Sequence, residues 1–139
     1  MADAPTCSCG ADEPRRVIFP CAGQANTGQI SNLAAVELTE EGYGSIACAA
    51  KLAIGDEGLG ASARKADEVV VIDGCPVHCA KKIALAQEVV STQHVVVTDL
   101  GIAKGPSKAH TPDDVETVVA ACWRGVGKSA VVPGPERND

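Results

Sequence analysis

Asp67-Glu68-Val69-Val70-Val71-Ile72-Asp73-Gly74-Cys75-Pro76-Val77-His78-Cys79-Ala80-Lys81-Lys82 reads as a buried strand, a sharp turn and the opening of a helix. Val69 to Ile72 is a β-branched run without polar alternation, the pattern of a strand covered on both faces in a parallel sheet. Asp73-Gly74 supplies the turn, and Pro76 suits a first helical position, where its missing N–H would have had no partner. On this reading Cys75 falls near the helix N-cap and Cys79 one turn inside. Residues four apart share a helix face, which aims the two sulfurs at a common spot. The positive end of a helix dipole there favours thiolate, the form that binds metals and attacks electrophiles.

Outward from this stretch, the same alternation of strand and helix recurs. Val17-Ile18-Phe19-Pro20-Cys21 is a first strand that stops at the glycine-containing loop 22–28. A helix follows, capped by Asn26 or Thr27, with Ile30, Leu33, Ala34, Val36 and Leu38 as its apolar positions and Gly42 and Gly44 beyond its end. Ser45-Ile46-Ala47-Cys48 reads as a short strand with a helical turn after it, and Asp56 to Lys65 as a weaker helix. His94 to Asp99 repeats the buried-strand pattern. Thr111-Pro112-Asp113-Asp114 is a strong helix start, leading to about Trp123 with Val115, Val118, Val119 and Cys122 inward. The expected fold class is α/β: a single domain, doubly wound and Rossmann-like, with a parallel sheet of about four strands and helices on both faces. Residues 1–14 read as a mobile tail holding Cys7 and Cys9, 15–125 as the folded domain, and 126–139 as a C-terminal tail.

Composition narrows the partners. At 139 residues the chain is one ordinary domain, large enough to bury a core without disulfide staples. Aromatics are only 2%, so that core must be aliphatic. A net charge of -6 argues against nucleic acid and anionic membranes, whose binding rests on basic patches. No apolar run is long enough to span a bilayer, and Met1-Ala2-Asp3-Ala4-Pro5 lacks the marks of a secretory signal, so the expected location is cytoplasmic. Seven cysteines is an unusual number, and in a reducing compartment clustered cysteines are more often ligands or catalysts than staples.

Topology gives four of them a shared address. Parallel strands finish on one edge of the sheet, where ligands of such folds bind. Cys21 ends strand one, Cys48 ends strand two, Cys75 and Cys79 follow strand three, and Asp99 ends strand four. Four thiolates at one rim suit a tetrahedral soft metal site, with zinc the commonest structural case. The alternative is that a free cysteine is simply a small buried hydrophobe, which is how Cys122 reads. His78 is at best an outer-sphere donor or alternative ligand, His94 and His110 read as edge and loop residues, and Asp73 as the residue that hydrogen-bonds the turn setting Cys75.

The motifs Val71-Ile72-Asp73-Gly74-Cys75-Pro76 with Cys79, Phe19-Pro20-Cys21-Ala22-Gly23, Asn26-Thr27-Gly28-Gln29, Glu41-Gly42-Tyr43-Gly44 and Cys48 together resemble the DGC-domain family of proposed zinc-binding proteins. The resemblance spans about residues 17 to 103. It implies a zinc or similar thiophilic cofactor held by Cys21, Cys48, Cys75 and Cys79, the set the topology selects, with a role in metal sensing, storage or delivery or as a structural site. The first strand and cysteine loop also look somewhat like low-molecular-weight phosphatases and related arsenate reductases. In those, the loop cysteine is followed six residues on by an oxyanion-binding arginine; here that position is Thr27. The competing expectation is therefore a thiol-based redox or oxyanion-reducing enzyme using Cys21 or Cys75.

Overall fold

The β-branched run forms the heart of a sheet in the computed structural model, which describes residues 14–129. Cys7, Cys9 and all but Pro14 of the expected N-terminal tail lie outside those residues, as do residues 130–139. The elements in chain order are β1 (Arg16–Pro20), α1 (Asn26–Glu40), β2 (Ser45–Ile46), α2 (Ala49–Ala53), α3 (Glu57–Lys65), β3 (Glu68–Asp73), α4 (Cys79–Ala86), β4 (Gln93–Val96), a 3₁₀ turn (Val97–Leu100) and α5 (Pro112–Trp123). The four strands pair in the order β2-β1-β3-β4, all parallel. This is the α/β, doubly wound architecture expected from the sequence.

Side-chain alternation along each strand explains the double covering. Ile18, Val70, Ile72 and Val95 point to one face, where they pack with Ile30, Ala34 and Leu38 of α1 and Val118, Val119 and Cys122 of α5. Val17, Phe19, Val69 and Val71 point to the other, against Leu52 of α2, Ala63 of α3 and Ala80 and Ala84 of α4. Val70, Val71, Ile72 and Phe19 are fully enclosed. Each such side chain contributes roughly 1.5–3 kcal/mol of transfer free energy, so two mainly aliphatic layers, with Phe19 in one and Tyr43 in the other, suffice.

Several boundaries differ from the expectation, each for a tertiary reason. Helix α1 is capped by neither Asn26 nor Thr27: its N-cap is Ala25, with no side-chain bond. Asn26 is buried and serves a distant loop, donating from Nδ2 to the carbonyls of Ala103 and Ala109 and accepting from the N–H of Gly105. Leu33 and Val36 are 41% and 44% exposed, because α1 turns Ile30, Ala34, Ala35 and Leu38 inward instead. β2 ends at Ile46, and Cys48 is the N-cap of α2, its sulfur accepting the Lys51 N–H at 3.4 Å. The last strand stops at Val96 and tightens into the 3₁₀ turn, so Asp99 does not end a strand. α5 begins as read, with Thr111 and Asp114 in a reciprocal capping box and Pro112 in first place.

Beyond α5 the chain turns back along β4. The His94 N–H donates to the Gly127 carbonyl, the Ser129 N–H donates to the Thr92 carbonyl, and Gln93 bridges antiparallel to Lys128. Among the described residues, no helix is long and apolar enough to cross a membrane.

Candidate functional site

Strand order places the reversal of winding between β1 and β3. The chain leaves β1 into α1 on one face of the sheet and leaves β3 into α4 on the other. The loops therefore part above the strand ends and open a crevice at the topological switch point, the usual ligand position in such sheets. Pairing persists just past the strands, since the Cys21 N–H donates to the Ile72 carbonyl at 2.8 Å. Above that bond, Gly74 lies so close to the start of α1 that a Cβ there would stand 2.7 Å from the nitrogen of Gly28. Gly28 is pressed in turn against Gly23, with 2.6 Å from its own ideal Cβ to the Gly23 nitrogen. The glycine between Asp73 and Cys75 is thus a requirement of backbone packed on backbone, not only of the turn.

Asp73 is buried beneath this contact. Its Oδ1 accepts the Ala80 N–H at 2.7 Å and its Oδ2 the Lys81 N–H at 3.1 Å. The carboxylate at the end of β3 thereby caps α4 from below. This corrects the expected helix start: α4 begins at Cys79, Pro76 lies in the preceding turn, and His78 is the N-cap in a left-handed conformation with φ 60°. Cys75 and Cys79 consequently do not share a helix face. The carboxylate also meets Nε2 of His94 at 2.8 Å, and the His94 ring stands edge-on to that of His78 at 4.7 Å. His94 therefore has a partner that its local sequence does not announce.

All four sequence-selected cysteines reach the predicted rim, and all are free thiols. They line two adjoining clefts. One, of about 630 Å³, is bordered by Cys21, Cys48 and Cys79 with Ile46, Ala47 and Ile83. The other, of about 660 Å³, is bordered by Cys21, Cys75 and Cys79 with Thr27, Gly74 and Lys104. Cys21 and Cys79 thus face both. Soft sulfur donors on one side of a sheet fit a thiophilic ion by kind and by placement. By spacing they do not form a preassembled site: among the described residues, no three His, Cys, Asp or Glu side chains are grouped to hold a metal ion.

The residue that sequence reasoning missed is Lys104. Its ammonium stands 3.6 Å from the Cys75 sulfur and is the cation nearest that thiol in the second cleft. Lys104 arrives there because Asn26 gathers residues 103–109 over the crevice through the bonds described above. The available signal was topological: residue 104 lies in the loop after the fourth parallel strand, hence on the same edge. Cys122, by contrast, is 1% exposed between α5 and the sheet, and burial pushes its thiol up to about 12. It packs as core and takes no part in the rim.

A family model described as the DGC domain matches residues 17–122, from β1 to the end of the α5 core. A curated relative, the anaerobic and virulence modulator AnvM of Pseudomonas aeruginosa, is 30% identical over 127 residues, covering 91% of this chain and 93% of the relative. No solved structure matches the chain.

Proposed function

The chain belongs to the DGC-domain family, and on that premise we propose that it captures a thiophilic metal ion, zinc foremost, with thiolates drawn from Cys21, Cys48, Cys75 and Cys79. The observation that carries this reading is the pair of adjoining clefts that share Cys21 and Cys79 while each adds a further cysteine. Thiolates from separate loops on one rim are a donor set that selects zinc or another soft ion over calcium or magnesium.

The role this favours is reversible handling, as in sensing or delivery. A permanent structural zinc contributes folding energy outright. Here two aliphatic layers already close the core on both faces of the sheet, away from the rim. The donors also start apart, so capture has to draw loops together and release lets them relax. A relative named as a modulator sits comfortably with such a role.

The test is metal content of protein purified without added zinc, followed by zinc competition against a chromophoric chelator. About one ion per chain is expected, with thiol reactivity at the four positions falling as zinc is added. Cys21→Ser should lower affinity more than Cys48→Ser, since Cys21 faces both clefts. Absence of stoichiometric binding in fully reduced protein would end the metal reading. A second reading, redox chemistry at a single thiol, is favoured by Lys104 beside Cys75. It predicts that Cys75→Ser abolishes a reductase assay while leaving metal content untouched.

A further inference from the structure

We propose that the second cleft is a binding site for a small tetrahedral oxyanion of the phosphate or sulfate class. The cleft shares Cys21, Cys75 and Cys79 with the proposed metal site, but holding the anion requires no metal. Its carrying observation is Thr27, which is 1% exposed, lines that cleft in the first turn of α1, and has no hydrogen-bond partner for Oγ1 among the described residues. A buried hydroxyl left unpaired costs about 1–3 kcal/mol, which a bound acceptor would recover.

The surroundings are those an anion requires. Thr27 is the second residue of a 15-residue helix, whose N-terminal dipole end is positive although its first N–H groups are already taken by the Gly105 carbonyl, Asn26 Oδ1 and the Ala25 carbonyl. Among the described residues, the backbone N–H groups of Ala22, Gly23, Gln24 and Ala25 meet no acceptor, and the last three of these residues border the cleft. Successive N–H groups on a loop are the ordinary partners of phosphate and sulfate oxygens. Lys104 brings the one ammonium among the cleft's lining residues, and no carboxylate is among them. In a chain of net charge -6, a cleft that excludes acidic side chains and gathers a lysine, a free hydroxyl and unpaired amides is a local exception.

Gly23, Gly28 and Gly74 hold this wall of the cleft together: their backbones are stacked within the distance of an absent Cβ, so that no side chain intervenes between the loop and the start of α1. The Cys75 sulfur, 3.6 Å from the Lys104 ammonium, stands at the edge of the same space. An anion held by Lys104 therefore shields Cys75 and competes with it for the ammonium.

The experiment measures iodoacetamide alkylation of Cys75 by peptide mass spectrometry, in the presence of a chelator, with sodium phosphate or sulfate replacing chloride at constant ionic strength. Phosphate is expected to slow Cys75 alkylation while leaving Cys48 unaffected. Lys104→Gln should raise the phosphate concentration needed for protection about tenfold or more, each variant being referred to its own chloride baseline. Lys108→Gln, an exposed lysine four residues on, should leave it unchanged. Thr27→Val should weaken protection similarly, and the surface variant Lys104→Gln decides the matter if Thr27→Val fails to fold. Equal alkylation in phosphate and chloride would overturn the proposal, as would identical behaviour of Lys104→Gln and Lys108→Gln. Because a chelator is present throughout, neither result bears on zinc capture, which stands or falls by stoichiometry.

Discussion

Alanine at position 74 tests the arrangement of the rim most directly. An ideal Cβ on Gly74 would lie 2.7 Å from the nitrogen of Gly28 and the carbonyl carbon of Thr27, and 2.9 Å from the Thr27 oxygen. All three are backbone atoms and cannot swing aside as a side chain would. Ordinary contact begins near 3.4 Å, so the loops after β1 and β3 must part by about 0.7 Å. Overpacking of this kind costs about 1–3 kcal/mol. For a domain of this size the loss corresponds to a melting temperature lower by roughly 3–10 °C. The conformational term is small, because Gly74 does not occupy the left-handed region. Gly58 is the internal control: a Cβ there would find nothing nearer than Asp56 Oδ2 at 3.6 Å, within a helix that alanine favours by up to about 1 kcal/mol. Circular dichroism melts should therefore move in opposite directions for Gly74→Ala and Gly58→Ala. Parting of the loops should also speed alkylation of Cys21 and Cys75 in Gly74→Ala alone. A Gly74→Ala protein that melts within about 1 °C of wild type, with unchanged thiol rates, would refute the backbone-on-backbone contact.

Other outcomes follow from the same geometry. Asp73→Ala leaves the Ala80 and Lys81 N–H groups and His94 without their buried acceptor, and should cost about 3 kcal/mol in urea titration, with Asp73→Asn losing less; a loss under about 1 kcal/mol would contradict the capping role. In native, reduced protein Cys48 and Cys79, both exposed, should alkylate fastest, half-buried Cys21 and Cys75 more slowly, and Cys122 only on unfolding. Alkaline pH should destabilise the fold: the Cys122 thiol stays protonated up to about 12 when folded, while its ordinary value is 9.0, so its contribution is complete below pH 9 and is lost as pH climbs towards 12. The loss amounts to at most about 4 kcal/mol, and Tyr43, raised from 10.0 to about 12 chiefly by burial, acts in the same direction. The urea midpoint should fall between pH 9 and 11, with a shallower slope in Cys122→Ala, and a flat profile would contradict the buried-thiol account.

The parallel sheet was legible because its strands are covered on both faces and so must be written in consecutive β-branched residues, as Val69 to Ile72 are. The edge whose clefts these cysteines line was legible for the same reason, since parallel strands all finish on one side. The details that eluded local reading are those fixed by groups distant in sequence. α4 starts at Cys79 because its acceptor is the Asp73 carboxylate beneath it, and that overrides the local preference for Pro76 in first place. Asn26 has the chemistry of a helix cap but is drawn into bonds 77 and 83 residues away. Lys104 has no pattern around it at all, and only the fold brings its ammonium to Cys75. Spacing between sulfurs is likewise a property of loop positions, which topology places on a side but not at a distance.

The return of residues 127–129 along β4 has a bearing on how the molecule behaves in company. Exposed sheet borders are templates on which neighbouring chains add strands and aggregate. At one border β2 is only two residues long, too brief to recruit anything, and at the other the chain lays its own backbone over the open hydrogen-bonding groups. A protein shortened at Gly125 would keep its core yet bare that second border, leaving open backbone groups on which another chain can add a strand.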